Sequence, residues 1–511
     1  MREEMSPLQK KRLEYKPAVP QALRDLSGVC LVPSKRGKRP DEHVRQLFPK
    51  TFDQVPHELG KGKGKGRALR VGVVFSGGPA AGGHNVIGGI WDGVRQFDGK
   101  SRLIGFLDGP SGIVDNKWRE LGDREIAGVR NQGGFDLIGS GRTKIETPAQ
   151  MESSLKTCQD LRLDGLVVIG GDDSNTNAAI LAEYFLQKGC KTGVIGVPKT
   201  IDGDLRSDDI EISFGFDSAC KTYGELIGNI ARDTLSMKKY YHFIKLMGRS
   251  ASHIALECAL TTRPNLTLIG EEGKSLEAIV KEIVDLIRRR KEAGKEYGVI
   301  LVPEGLIEFI PETKDPKFIS GLPEDIQKQL LQDRDPHGNI SVSQIETEQL
   351  LIDLVKKEIK GKFSAQAHFF GYEGRACLPS NFDANYCYAL GLLSALAVQG
   401  GLSGMICSVQ NLTSPVEKWA LKMVPLVQLI HMEMRQGKEK PVIEKALVDI
   451  NRGAFVYFSN SRKSWEVEDC YRYPGPMQFF GDRDITDSVP ITFRCKNVCP
   501  IHPKTRCQGN L

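Results

Sequence analysis

Five short apolar runs, each followed by glycine or charged residues, constrain the fold of this chain more than any other feature. The runs are Arg70–Phe75, Leu166–Ile169, Gly193–Val197, Phe243–Met247 and Val299–Val302. Segments with apolar residues at helical spacing lie between them. Continuous apolar runs that alternate with helices predict parallel strands buried on both faces. Since ligands of open parallel sheets bind at the carboxyl ends of the strands, we expect the polar residues after each run to form the functional site.

The chain has 511 residues, which is enough for two or three domains. The predicted fold is α/β, with two domains of mainly parallel sheets flanked by helices and a mostly helical insertion. The expected limits are 1–67 for a basic N-terminal extension and linker, 68–240 for the first domain, 241–307 with 366–511 for the second, and 308–365 for the insertion. A helix over Pro415–Gln436 and a strand over Phe455–Phe458 are predicted within the second domain.

Charge and apolar patterning exclude several classes of protein. Residues 1–67 contain 16 Lys and Arg against 8 Asp and Glu, whereas the whole chain carries a net charge of only +6. The glycine and lysine run at 61–67 predicts a flexible linker, and it has no aromatic residues to stack on bases, so we expect no nucleic-acid partner. The apolar runs are far shorter than the roughly 20 residues of a membrane span, so we expect no membrane partner. Twelve scattered cysteines and no visible secretory signal predict a cytoplasmic protein.

The first two polar loops suit an anion and a cation. Ser76–Asn85 is rich in glycine between a predicted strand and a predicted helix, so its backbone N–H groups can approach an anion closely. It matches neither GxGxxG nor GxxxxGK(S/T), and a tight structural turn is the alternative. Gly170–Asn175 places Asp172 beside Asp173, and adjacent carboxylates favour a cation such as Mg²⁺ with a phosphate ligand. Helix capping is the alternative for this loop.

The later groups add cations and further carboxylates. Pro198–Asp204 packs Lys199, Asp202 and Asp204 into one turn after a predicted buried strand. A carboxylate there can accept a proton from a hydroxyl while the lysine stabilises charge on a transferring phosphoryl group, although an ordinary polar turn is the alternative. A fourth group suits a sugar monophosphate, and it comprises Lys238–Tyr241, Met247–Arg249, Glu304 and Tyr372–Arg375. Taken singly, each is better explained as a surface charge or a structural ion pair, and only their joint occurrence points to a site.

Together these loops resemble those of the phosphofructokinases, and in particular the long pyrophosphate-dependent branch that includes the plant beta-subunit type. The matching strings are GGDDSNTNAA (170–179), PKTIDGDL (198–205), MGRSASHIALECAL (247–260) and PEGLIEFIPE (303–312). The resemblance implies two phosphofructokinase-type domains and reversible phosphoryl transfer from pyrophosphate to the 1-hydroxyl of fructose 6-phosphate, in glycolysis or gluconeogenesis. It implies Mg²⁺ as the cofactor. It also implies a homo-oligomer of at least two chains, or a heteromer with a related subunit.

The resemblance also assigns roles to residues. Asp202 would accept the proton of the sugar hydroxyl, Asp172 would bind Mg²⁺, and Lys199 and Asp173 would complete the catalytic set. Pyrophosphate would be bound by Gly77, Gly78, Arg142, Asp173 and Lys199. Fructose 6-phosphate would be bound by Thr200, Ile201, Asp202, Asp204, Met247, Gly248, Arg249, Glu304, Tyr372, Glu373, Gly374 and Arg375, with Lys239 and Tyr240 reaching into a neighbouring subunit's site.

Two positions determine the expected donor. ATP-dependent relatives usually have glycine where this chain has Asp173 and Lys199. A carboxylate about 4 Å from the α-phosphate of ATP would repel it by about 4 kcal/mol at an effective dielectric constant of about 20. The lysine would attract the charged phosphates of a short donor. Ala81 departs from the proline more usual in pyrophosphate enzymes, but it leaves the backbone donors in place.

Three other functions stay open at this level. An ATP-dependent 6-phosphofructokinase differs only in its donor, and a non-catalytic regulatory subunit of a heteromer would be free to lose the catalytic residues that this chain keeps. A nucleotide-binding protein, or a lipid or NAD kinase with a Gly-Gly-Asp loop, leaves Met247–Arg249 and Tyr372–Arg375 unexplained. Finally, Cys495, Cys499, His502 and Cys507 lie close in sequence, but their spacing is not a standard zinc pattern, so we interpret the cysteines as free thiols.

Overall fold

The computed structural model describes residues 4–35, 37–62, 66–315, 345–435 and 438–495, together with positions 320, 324, 327 and 328. The strands of this described part are β1 (Val29–Pro33), β2 (His57–Lys61), β3 (Arg70–Phe75), β4 (Arg102–Phe106), β5 (Trp118–Leu121), β6 (Gly165–Gly170), β7 (Gly193–Pro198), β8 (Tyr240–Leu246), β9 (Leu266–Thr267), β10 (Tyr297–Pro303), β11 (Ala365–Phe370), β12 (Met405–Gln410), β13 (Ala420–Pro425), β14 (Ile430–Arg435) and β15 (Lys438–Ile443).

The α-helices of the same residues are α1 (Pro7–Leu13), α2 (Gly83–Phe97), α3 (Pro110–Val114), α4 (Asp123–Ala127), α5 (Pro148–Asp160), α6 (Asp172–Gln187), α7 (Phe216–Met237), α8 (His253–Thr262), α9 (Leu276–Glu292), α10 (Leu306–Phe309), α11 (Thr347–Glu358), α12 (Tyr372–Arg375), α13 (Asn381–Gln399), α14 (Gly453–Val467), α15 (Arg483–Thr486) and α16 (Ile491–Arg494). Short 3₁₀ turns lie at Gln21–Leu23, Leu26–Gly28, Glu42–Val44, Gly270–Glu272, Pro311–Lys314, Val416–Lys418 and Leu426–Leu429. None of these helices has both the length and the apolar character of a membrane span.

The larger sheet has nine strands in the order β1-β2-β13-β12-β7-β6-β3-β4-β5. Its middle, from β12 to β4, is parallel, and its outer strands pair antiparallel. Successive residues of β3 point to opposite faces, so Val73 packs in a core with α2 and α13, whereas Val74 packs in another core with α5 and α6. Burial on both faces explains why this strand reads as an unbroken apolar run.

The smaller sheet has four parallel strands in the order β11-β8-β10-β9. Phe243 and Ile300 pack on one face with α9 and α11, and Ile244 and Leu301 pack on the other in the core that also holds α7 and α8. Helix α7 leads from the larger sheet into β8. The predicted α/β class, with two mainly parallel sheets flanked by helices, is therefore confirmed.

Glycines allow α2 and α13 to pack unusually closely. A Cβ atom on Gly89 would lie 2.3 Å from the carbonyl oxygen of Tyr388, and one on Gly391 would lie 2.2 Å from that of Val86. Real side chains do not tolerate such distances, so any substitution at either glycine requires the two helices to separate. This contact holds the helix that follows the first glycine loop in its place beside the sheet.

Two predictions near the C-terminus are wrong. Residues 415–435 contain β13 and β14 rather than a helix, since β13 pairs along its whole length with β12 and Pro425 interrupts a helical hydrogen-bond pattern. The last residue of the predicted helix, 436, lies outside the described residues. Residues 455–458 lie in helix α14 rather than in a strand. The apolar run there is too short to distinguish a strand from a buried helix by periodicity.

Sheet pairing departs from the expected domain limits in two places. β1 and β2, from the N-terminal extension, and β12 and β13, from residues 366–511, all join the nine-stranded sheet. The described parts of the insertion are helical at α10, Pro311–Lys314 and α11, and most of 316–344 lies outside the described residues. Of the linker, positions 63–65 also lie outside them, as do Cys499, His502 and Cys507. Cys495 is a buried free thiol.

Candidate active site

Six of the polar loops follow the carboxyl ends of parallel strands. The loops after β3, β6 and β7 belong to the nine-stranded sheet, and those after β8, β10 and β11 belong to the four-stranded sheet. Arg249, from the loop after β8, forms ion pairs with Asp172 (Nη1–Oδ1, 3.5 Å) and Asp173 (Nη2–Oδ2, 3.8 Å) at the start of α6. The two sheets therefore direct their loops at one another, as the sequence pattern predicts.

The first glycine loop lies against a buried lysine. Gly77 has φ +88°, in the region that favours glycine, and a Cβ atom there would lie 3.1 Å from Nζ of Lys199. The loop is held by Ser140, whose Oγ donates to the carbonyl oxygen of Gly77 at 2.5 Å, and by the N–H of Gly77, which donates to the carbonyl oxygen of Gly141 at 2.9 Å. The lysine ammonium and the glycine backbone thus border the same space, as an anion site requires.

Lys199 is 5% exposed and lies among charged neighbours of both signs. Burial lowers the pKa of Lys199 to about 8, with the charge of Asp202 opposing this shift and that of Arg249 adding to it. Since burial disfavours the charged form of this lysine, a bound anion would stabilise its ammonium.

Asp202 and Thr200 are joined by two hydrogen bonds. Thr200 Oγ1 donates to Oδ2 of Asp202 at 2.9 Å, and the backbone N–H of Asp202 donates to Oγ1 of Thr200 at 3.2 Å. Both side chains are buried, as are those of Ile201 and Asp204. Burial, together with the charges of Asp202 and Asp172, raises the pKa of Asp204. This turn therefore holds the carboxylate of Asp202 in a fixed orientation, whereas the environment of Asp204 disfavours ionisation of its carboxyl group.

Arg249 lies among several carboxylates. Burial by itself lowers the pKa of Arg249, but the surrounding carboxylates outweigh burial and hold this pKa above its usual value. These carboxylates belong to Asp172, Asp202, Asp204 and Asp173. Concentrated opposite charge of this kind is typical of phosphate chemistry, in which a polyanion and a divalent cation enter together.

Glu304 fixes the backbone of the loop that carries Arg249. Its Oε2 accepts the N–H groups of Gly248 (2.8 Å) and Arg249 (2.9 Å), and the residue is 2% exposed. Burial raises the pKa of Glu304, and the two backbone N–H groups act against this shift. Met247, at the start of the same loop, is buried in the core.

Helix α12 brings Arg375 to the glycine loop. The guanidinium of Arg375 lies 4.9 Å from the ring centroid of Tyr372, which is 61% exposed, and a Cβ atom on Gly78 would lie 3.5 Å from Cζ of Arg375. Gly374 leaves room for Tyr223, whose ring would lie 2.6 Å from a Cβ atom at that position. Glu373 is exposed and accepts the N–H of Gly371 at 2.8 Å.

Gly77, Gly78 and Arg375 share a cavity of about 1330 Å³ with the exposed Arg142. Its wall also includes Met5, Gln9 and Leu13 of the N-terminal segment. Sequence patterns gave no indication of this wall, because its residues are ordinary ones that lie more than 60 positions before the first glycine loop.

Lys239 and Tyr240 are the predicted residues that this chain does not bring to the site. The ammonium of Lys239 lies 4.7 Å from the ring centroid of Tyr240, and both residues stand at the amino end of β8. Arg249 follows the carboxyl end of the same strand, which is about 20 Å away at roughly 3.3 Å per residue. In contrast, Lys445 was not predicted, yet its Nζ lies 4.0 Å from Oδ2 of Asp172.

Comparison with known proteins shows which family this chain matches. A sequence model of the family "Phosphofructokinase" matches residues 70–398. A relative from Treponema pallidum (strain Nichols), named pyrophosphate–fructose 6-phosphate 1-phosphotransferase, is 46% identical over 97% of this chain and 98% of its own length. The beta 2 subunit of the same enzyme from Arabidopsis thaliana is 48% identical over 88% of this chain and 87% of its own length.

A solved structure of pyrophosphate-dependent phosphofructokinase from Marinobacter aquaeolei aligns with a TM-score of 0.57 at 18% identity, over 87% of this chain and all of that one, and shows the fold alone. Fold and site define an α/β protein with a cleft, lined by cations and carboxylates, between two mainly parallel sheets. The chain belongs to the phosphofructokinase family, which confirms the resemblance that its motifs indicate.

Proposed function

We propose that this protein catalyses reversible transfer of a phosphoryl group from pyrophosphate to the 1-hydroxyl of fructose 6-phosphate, giving fructose 1,6-bisphosphate and phosphate. The observation that carries the proposal is that one cleft combines the ion pair of Asp173 with Arg249 and the buried Lys199. Relatives that match this chain over nearly their whole length bear the name of this activity. In this proposal the loops of the nine-stranded sheet bind the donor pyrophosphate, and the loops of the four-stranded sheet bind the sugar phosphate.

The donor follows from charge at two positions. Asp173 lies in the first turn of α6, and its side chain is 15% exposed, so it presents a carboxylate to the cleft. A nucleotide phosphate about 4 Å from this carboxylate would be repelled by about 4 kcal/mol at an effective dielectric constant of about 20. Pyrophosphate is short enough to lie between Gly77, Gly78 and Lys199 without reaching it, and Arg142 would contact its outer oxygens.

The transfer needs a base and a stabilised phosphoryl group. Asp202 would accept the proton of the sugar hydroxyl, and Thr200 would hold the carboxylate in its orientation through the 2.9 Å hydrogen bond. Lys199 and Arg249 would stabilise the negative charge on the oxygens of the transferring group. Both cations are in place before substrate binds, so little reorganisation is needed during the reaction.

The sugar phosphate would bind to the loops of the four-stranded sheet. Arg375, with Tyr372 beside its guanidinium, suits the 6-phosphate, and the loop that Glu304 fixes would present its backbone and Arg249 to the sugar. Lys239 and Tyr240 face away from this chain's own cleft, so in the proposal they complete the site of a second copy. The active unit is then at least a dimer, or a heteromer with a related subunit.

The donor set of the cleft fits Mg²⁺. Asp172 is 4% exposed and supplies carboxylate oxygen, the ligand type that Mg²⁺ prefers. Among the described residues no group of three or more metal-ligating side chains is found, which suits an ion that is bound jointly with substrate phosphate. The ion would supply positive charge to the phosphate oxygens, and Asp172 would hold it. The proposal includes a cytoplasmic location, since the described cysteines are free thiols.

A coupled assay with fructose 6-phosphate and Mg²⁺, offering pyrophosphate and ATP in parallel, tests the proposal. We expect turnover with pyrophosphate and little or none with ATP. Preferential use of ATP would identify an ATP-dependent 6-phosphofructokinase instead. No turnover with either donor, in a folded protein that binds fructose 6-phosphate, would favour a regulatory subunit, and adding a related catalytic subunit would then test that role.

A further inference from the structure

Strands β14 and β15 pair antiparallel, and the chain after β15 brings a lysine to the proposed transfer site from a distant part of the sequence. β15 packs on helix α6, where the N–H of Ile443 donates to Oγ1 of Thr176 at 3.0 Å. Thr176 lies one turn after Asp172, the first residue of α6. The chain that leaves β15 therefore passes over the amino end of α6, and Lys445 lies at that point.

The backbone around Lys445 is anchored to both halves of the molecule. The N–H of Ala446 donates to the carbonyl oxygen of Asp204 at 2.7 Å, and the carbonyl oxygen of Ala446 lies 2.8 Å from Nε2 of His253. The N–H of Val448 donates to Oε1 of Glu271 at 3.0 Å. Asp204 follows a strand of the larger sheet, whereas His253 and Glu271 belong to the smaller half. The position of Lys445 is thus set by main-chain contacts on both sides of the cleft.

The side chain of Lys445 is a second cation beside the carboxylate of Asp172. Its Nζ lies 4.0 Å from Oδ2 of Asp172, while Nη1 of Arg249 lies 3.5 Å from Oδ1 of the same group. A distance of 4.0 Å exceeds that of a direct hydrogen bond, and the Lys445 side chain is 17% exposed. The ammonium can therefore turn towards a ligand in the cleft while its backbone stays fixed.

We propose that Lys445 is a further substrate-contacting cation of the phosphoryl transfer, acting on pyrophosphate. The proposal rests on the proposed function. Pyrophosphate carries several negative charges into a cleft that already holds the carboxylates of Asp172, Asp173 and Asp202. A further cation within reach of its oxygens, beside Lys199, Arg249 and Arg142, would therefore strengthen its binding. A purely structural lysine would instead keep its charge in a close hydrogen-bonded pair.

Two substitutions separate these roles. Lys445→Gln keeps a polar side chain that is one atom shorter and removes its charge, whereas Lys445→Arg keeps the charge. Lys440→Gln removes a charge from β15, five residues earlier, and serves as the matched control. For each purified full-length variant, pyrophosphate binding is measured by calorimetry without metal or sugar, and kinetics are measured with each substrate varied in turn.

We expect Lys445→Gln to weaken pyrophosphate binding and to lower kcat/KM for pyrophosphate by about tenfold or more, the usual effect of losing a charge-assisted contact. The KM for fructose 6-phosphate should change less than about twofold, and Lys445→Arg should recover most of the loss. Lys440→Gln should behave as the native protein.

Unchanged pyrophosphate binding in Lys445→Gln would overturn the assignment, as would equal losses for both substrates. If Lys445→Gln lowers the melting temperature, Lys445→Arg decides, because a charge-preserving variant that stays as weak as Lys445→Gln contradicts the proposal. A native protein that uses ATP but neither binds nor uses pyrophosphate would instead refute the proposed function, and this inference with it.

Discussion

The guanidinium of Arg249 lies 3.5 Å from the carboxylate of Asp172, although the two residues follow strands of different sheets. This ion pair joins the loop that would bind the sugar phosphate to the loop that would bind the metal. A phosphoryl group must pass from the donor loops to the sugar-binding loops. Arg249, which contacts both sets of loops, therefore lies where negative charge would develop during transfer.

Replacement of Asp202 by serine should remove the general base. We expect kcat with pyrophosphate to fall by about 10²- to 10⁴-fold while the dissociation constant of fructose 6-phosphate stays nearly unchanged. Steady-state kinetics and calorimetric titration of the sugar phosphate check these two quantities. Near-native turnover in Asp202→Ser would rule out this residue as the base. Ser140→Ala, which removes only a loop hydrogen bond, should cost far less.

Replacement of both Asp173 and Lys199 by glycine should shift the donor preference. The repulsion by the carboxylate and the attraction by the ammonium are both lost, so pyrophosphate use should weaken and ATP use should rise from its low native level. The ratio of kcat/KM for the two donors measures the change. If ATP activity does not rise at all in a folded double variant, the charge-based explanation of donor choice is incorrect.

The pH dependence of pyrophosphate binding should report on Lys199. Burial lowers the pKa of this lysine to about 8, so its ammonium is charged below that pH and loses its proton as the pH rises through it. The affinity of the free enzyme for pyrophosphate should therefore fall above about pH 8. Calorimetry across pH 6.5 to 9.5 gives this profile. Lys199→Gln provides the reference, since it should bind more weakly throughout and lack this inflection; an identical profile in both proteins would refute the assignment.

Replacement of Arg12 by alanine should destabilise the fold. Its fully buried guanidinium donates to Oδ1 of Asn381 and to the carbonyl oxygen of Pro379, both at 2.9 Å, and lies between two aromatic rings. Loss of these contacts should cost about 3 kcal/mol. Urea unfolding measures the change, and Lys11→Ala, at an exposed neighbouring position, should leave the midpoint nearly unchanged. Equal midpoints for both variants would show that the N-terminal segment does not contribute to stability.

Much of the sheet architecture could be predicted from sequence because parallel strands are buried on both faces. Arg70–Phe75 is the clearest case, since the predicted run coincides with β3. The same reasoning failed at 415–436, where antiparallel strands alternate only weakly, and at 455–458, where a short apolar run lies on a helix. In both places the pairing partner or packing surface decides the structure, and neither is visible in a local pattern.

Local sequence by itself determined the strand ends and therefore the loops that carry Asp172, Lys199, Asp202 and Arg249, because each loop directly follows a run of apolar residues. Only the tertiary structure decided which distant residues meet these loops. Lys445 lies 273 positions after Asp172, and Arg12 lies 369 positions before the Asn381 that it contacts. Contacts of this kind depend on how helices and sheets pack, and a lysine or an arginine looks the same in sequence whether it ends in solvent or beside a buried carboxylate.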